Sequence, residues 1–162
     1  MEKYIELALG LGFKHAKLMS VQDLVFVPEY RKYCEENLCG NYDRVSACPP
    51  KCGTVNEMHE RMLKYDTALI LQTELILPEF NQEKYLQAKR EHNLLAEKIM
   101  EALEKDGAGD YLFMAAGPWK NHSCLSAYCI DATKMAESVG LICWGKDGVI
   151  RLFSLILTKK KA

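Results

Sequence analysis

Apolar positions recur at two different spacings along this chain, and each spacing predicts an element. Tyr4, Ile5, Leu7, Ala8 and Leu11 follow helical spacing over residues 3–11, which predicts a short amphipathic helix stopped near Gly12. In "KHAKLM", 14–19, Ala16 and Leu18 share one face of a predicted strand. "SVQDLVF" then opens a turn or short helix, with Ser20 and Asp23 at capping-box-like spacing. Thr54 and Glu57 form a T-x-x-E box ahead of a helix that carries Met58, Met62 and Tyr65 on one face. "TALILQTEL", 67–75, reads as a buried strand, and Pro78 ends the extended region.

Residues 82–105 give the clearest helix. Tyr85, Ala88, His92, Leu95, Ile99 and Ala102 step by threes and fours, Lys and Glu fill the other faces, and Gly107 lies past the end. His92, on the apolar face, reads as a core histidine with one hydrogen-bond partner. "YLFMAAG", 111–117, is a further buried strand, and "DATKMAESVG", 131–140, a short helix with Asp131 as cap and Gly140 as stop. "LICW", "GKDG" and "VIRLFSLIL" predict two strands joined by a tight turn. The order suggests a single layered domain over 1–162, α/β or α+β, with a mostly buried mixed sheet and helices packed on it.

Length and charge narrow the function. A chain of 162 residues buries a real core without cross-links. The 21 basic and 22 acidic residues leave a net charge of -1, which points to neither nucleic acid nor an anionic membrane. The Lys159–Lys160–Lys161 run reads as a solvated end. No apolar stretch reaches the ~18 residues of a membrane helix. "MEKYIELALGLGF" has charges around a very short apolar run, unlike a secretory signal, so a cytoplasmic protein is expected. Reduced thiols are the rule there, and the odd total of seven cysteines also argues against a fully paired disulfide framework.

The thiols carry the candidate chemistry. "CEENLCGNYDRVSACPPKCG", 34–53, sets Cys34, Cys39, Cys48 and Cys52 among Glu, Asn, Asp, Arg, Ser and Lys, which form no core. Thiolates suit soft or borderline cations, and four of them satisfy zinc or a cubane iron–sulfur cluster. The spacing C-x4-C-x8-C-P-P-x-C matches neither a zinc ribbon nor a ferredoxin loop, so it leaves the metal open. "AAGPWKNHSCLSAYC", 115–129, offers His122, Cys124 and Cys129 after a predicted strand, enough for a partial metal site or a nucleophilic thiol with a base. Cys143, in an apolar run before Trp144, reads as a buried strand thiol. There is no dinucleotide fingerprint, P-loop or Ser–His–Asp set.

Arg31, Cys34, Cys39, Gly40, Tyr42, Cys48, Pro49 and Pro50 together resemble the signature of a prokaryotic family of predicted metal-binding proteins of unknown function. "AAGPWKNHSC" and "MAESVG" resemble that family's second, cysteine-rich region and the short helix after it, so the likeness covers most of the chain. Typical members carry closely spaced cysteines directly after the turn, where this chain has Trp119. The resemblance implies metal binding, with iron–sulfur among the options, and no established reaction.

Three readings follow. The first is a metalloprotein in which Cys34, Cys39, Cys48 and Cys52 hold an iron–sulfur cluster or zinc, for electron transfer with a redox partner protein or for a structural-regulatory role. The second is a thiol enzyme using Cys124 or Cys129 with His122. The third is a binding module in which metal fixes a loop beside Trp119 and Trp144. If the two cysteine loops meet in space, His122 or Cys124 completes a site shared between them.

Overall fold

Ala68, Leu69, Ile70 and Leu71 are all 0% exposed, which requires that their strand be covered on both faces. The computed structural model describes residues 1–160; Lys161, the end of the basic run, lies outside the described residues. In chain order the elements are α1 (Glu2–Leu11), β1 (His15–Ser20), α2 (Arg31–Glu35), α3 (Val55–Leu63), β2 (Thr67–Ile76), α4 (Gln82–Lys105), β3 (Tyr111–Met114), α5 (Ala132–Ser138) and β4 (Val149–Thr158). The strands form one sheet in the order β1-β2-β4-β3, and every described pairing is antiparallel. The fold is therefore α+β.

Side-chain alternation assigns the two covers. Leu69 and Leu71 face α1 and α4, where they meet Tyr4, Ala8, Ile99 and Leu103. Ala68 and Ile70 face the other way, toward Met58 and Met62 of α3, Met135 of α5 and Tyr128 of the second cysteine loop. Each large apolar side chain buried in this way contributes roughly 1.5–3 kcal/mol. Local signals set the helix starts: Thr54, Asn81 and Asp131 accept from the backbone N–H groups of Glu57, Lys84 and Lys134. Among the described residues no helix is long and apolar enough to cross a membrane.

The expected terminal hairpin does not form. Leu141–Trp144 is irregular, and β4 pairs instead with β2 and β3. The buried Gln72 explains part of this, because its Nε2 donates to the carbonyl of Ile142 at 2.9 Å and fastens that segment as a loop. The strand expected over 111–117 stops at Met114, beyond which Ala115 bridges to Cys124. Cys143 is buried as expected, though on a loop and not on a strand.

His92 pins α4 to the sheet with two partners. Its Nδ1 lies 2.7 Å from Thr73 Oγ1 of β2, and its Nε2 lies 2.7 Å from Ser154 Oγ of β4. The Phe13 ring meets the imidazole edge-on. Burial holds the imidazole neutral and pushes its pKa down to about 3. Above the unfolded value of ~6.5 neither state is charged and His92 adds no pH dependence. Below it the unfolded chain takes a proton that the folded chain refuses, so stability falls as pH falls toward 3. At about pH 4 this amounts to roughly 3 kcal/mol. Urea unfolding across this window is expected to show that loss, and His92→Gln is expected to flatten it.

Candidate metal centre

The first cysteine loop leaves α2 at its last turn, which carries Cys34. Glu36 N–H still donates to Lys32 O, and then Asn37 (φ 57°) and Gly40 (φ 77°) turn the chain out of the helix. Cys39 sits exposed on that turn. The chain returns through Asp43 N–H to Pro49 O at 2.8 Å, and one tight turn links Cys52 N–H to Cys48 O at 3.1 Å. Cys48 is buried.

The second loop folds back on β3. Ala115 N–H donates to Ser123 O at 2.9 Å, and Trp119 and His122 exchange backbone hydrogen bonds across a tight turn. Helix α4 clamps the near side. Asn93, itself buried, donates to Ala116 O and accepts from Ala116 N–H, both at 3.0 Å. Further along, Trp119 Nε1 and Lys120 Nζ both donate to Glu97.

Between the two loops lies a cavity of about 390 Å³, walled by Cys34, Cys39, Cys48, Cys124 and Cys143 with Tyr33, Tyr42, Tyr85 and Trp144. Among the described residues no carboxylate or histidine lines it. Burial, and next the neighbouring Cys124, push the Cys34 thiol up to about 11; Cys39 adds to this and Arg31 opposes it. The same two causes, with Cys39, Cys52 and Cys34 behind them, push Cys48 up to about 12. Each thiolate thus raises the cost of the next, and a bound cation would reverse the sign of that balance. Among the described residues no three His, Cys, Asp or Glu side chains stand close enough together to hold a single ion.

The remaining expected ligands, Cys52, Cys129 and His122, do not line this cavity. Cys52 Sγ donates to Met58 Sδ at 3.4 Å, and its carbonyl accepts from Arg61. Cys129 is fully buried, with Sγ 3.8 Å from Pro28 O. His122 rests edge-on against Phe113 and makes no hydrogen bond to a thiol among the described residues. Burial raises the Cys129 thiol, opposed by Arg31, and lowers His122. The structure therefore brings Cys124 to the thiols of the first loop and leaves Cys52 outside the cavity wall.

Arg31 joins the two loops from below. It is 9% exposed, with Nη1 donating to Gly53 O at 2.9 Å and Nη2 to Met58 Sδ at 3.0 Å and Ala127 O at 3.1 Å. Its Nε is buried without a hydrogen-bond partner. The sequence marks Arg31 only as the charged residue ahead of Cys34. That it reaches Ala127 is a tertiary fact.

Comparison with known proteins gives one family. The model of a family described as "Predicted metal-binding protein (DUF2284)" matches residues 17–121, which takes in the whole first loop and ends short of Cys124. No curated protein and no solved structure matches the chain.

Two outcomes are expected. In the metal-free folded chain, iodoacetamide labels the exposed Cys39 first. Cys34 and Cys48 lag, and their rates rise with pH because only the thiolate reacts; peptide mass spectrometry reads the order, and equal rates would mean that the loop stands open. Arg31→Lys, a point charge that cannot span three acceptors, should cost about 3 kcal/mol in urea unfolding.

Proposed function

The chain belongs to the DUF2284 family of predicted metal-binding proteins, and on that premise we propose that Cys34, Cys39, Cys48 and Cys124 together ligate an iron–sulfur cluster or zinc. One observation carries the reading: these four thiols, with Cys143, wall a single cavity that contains no oxygen-rich ligand set among the described residues. Thiolates suit zinc and iron–sulfur clusters, whereas calcium and magnesium require oxygen donors.

Zinc takes four thiolates at ~2.3 Å from one centre, and a cubane cluster takes four as well, so this wall of thiols suits either. A cluster in this position supplies one-electron chemistry. The chain's own residues do the rest. Cys39 brings one ligand to the surface, where a redox partner protein can approach, while the buried Cys48 holds the inner side. Arg31 brings a fixed positive charge close to Cys34 and offsets the charge of its thiolate. The role is electron transfer or structural regulation, in the cytoplasm.

Anaerobic purification followed by iron, sulfide and zinc analysis and a visible spectrum tests the reading. Cys→Ser at 34, 39, 48 or 124 should each remove most of the bound metal, while Cys52→Ser and Cys129→Ser retain it. Retention in Cys124→Ser with loss in Cys52→Ser would return the site to the first loop alone. Metal-free protein with every thiol freely titratable would end the proposal.

A further inference from the structure

The Ala116–Pro118 wall has a second cavity on its other side, of about 380 Å³. Arg44, Lys89, Arg90 and Lys120 line it together with Asn41 and Asn93, and among the described residues no aspartate or glutamate does. Lys120 is engaged by Glu97. Arg44, Lys89 and Arg90 have no ion pair among the described residues.

Arg44 and Lys89 are held in place. Asn41 accepts from Arg44 Nη2 and aims its guanidinium. The Lys89 ammonium lies 4.5 Å from the centre of the Tyr85 ring, and its stem fills the notch left by Gly117, where an added Cβ would come within 3.2 Å of Nζ. Asn93 spends both ends of its amide on Ala116 and fixes the wall. Lys89 lines both cavities.

We propose that this second cavity binds a small organic polyanion through its clustered oxyanion group. The argument is one of charge and shape. Three unpaired like charges around one concavity focus a positive potential that a bound anion relieves. Two arginine forks match the paired oxygens of phosphate or carboxylate. A cavity of this size admits a small molecule and is too narrow for a folded partner to enter. The inference stands apart from the metal assignment, since none of the thiols takes part. Lys89 lines both cavities, as do Ala116, Gly117 and Pro118 of the wall between them.

Isothermal titration calorimetry on the full chain tests this, with pyrophosphate and tricarballylate each run against sodium chloride at matched ionic strength. Metal content is measured before and after, so that stripping of metal is told apart from binding. A saturable one-to-one isotherm is expected for at least one polyanion. Tighter pyrophosphate indicates a phosphate ester as the ligand, and tighter tricarballylate a polycarboxylate. Arg44→Gln, Lys89→Gln and Arg90→Gln should each weaken binding by roughly tenfold, the scale of one charge-assisted hydrogen bond. Lys98→Gln, on the same helix and outside the cavity, should leave it unchanged. The proposal falls if neither polyanion saturates, if Lys98→Gln weakens binding as much as the others, or if poly-glutamate binds and the small anions do not.

Discussion

A guanidinium taken out of water is costly unless its donors are satisfied, and Arg31 satisfies most of its own by reaching across the fold. Its acceptors come from the end of the first cysteine loop, from α3 and from the second cysteine loop. No carboxylate balances it among the described residues. Carbonyl dipoles and the nearby thiols therefore set the electrostatics around it, and Cys34, Cys52 and Cys129 all feel its charge. Because Arg31 begins α2 and Cys34 lies three residues on in the same helix, the contact that ties the loops together also fixes where the first thiol stands.

Helix α4 does the corresponding work on the other side. His92 bridges two strands, Asn93 grips Ala116, and Glu97 takes both Trp119 and Lys120. One rigid element thus sets the height of the second loop over the sheet, and hence the distance from Cys124 to Cys48. Nearly all the polar groups in this shell have partners, which is what lets two irregular loops hold a shaped cavity between them. The orphan Nε of Arg31 is the exception.

Much of the fold was legible because it is written in local periodicity. The helix predicted over 82–105 is α4 to the residue, and the strand predicted over 67–75 is β2 less its last residue. Asp131 and Thr54 cap as their spacing implies. The terminal hairpin was misread for a physical reason. "LICW" is apolar enough for a strand, but β2 occupies the edge of β4 that it would need, and Gln72 holds Ile142 as a loop. The alternation of strands and helices likewise pointed to a mixed sheet, whereas the described strands pair antiparallel throughout.

For the site, the sequence by itself determined the donor chemistry: clustered thiols in a polar loop, with a second thiol pair far along the chain. It could not determine which thiols share a wall. Cys52, four residues from Cys48, still acts on its thiol but lies outside the cavity wall, while Cys124, far away in sequence, shares that wall with Cys48. Spacing fixes only what neighbouring residues can do along one helix or turn. The grouping of Cys34, Cys39 and Cys48 with Cys124 was decided by the tertiary structure, because it depends on β3, α4 and Arg31 bringing distant loops into register, and those packing contacts leave no periodic trace in either loop.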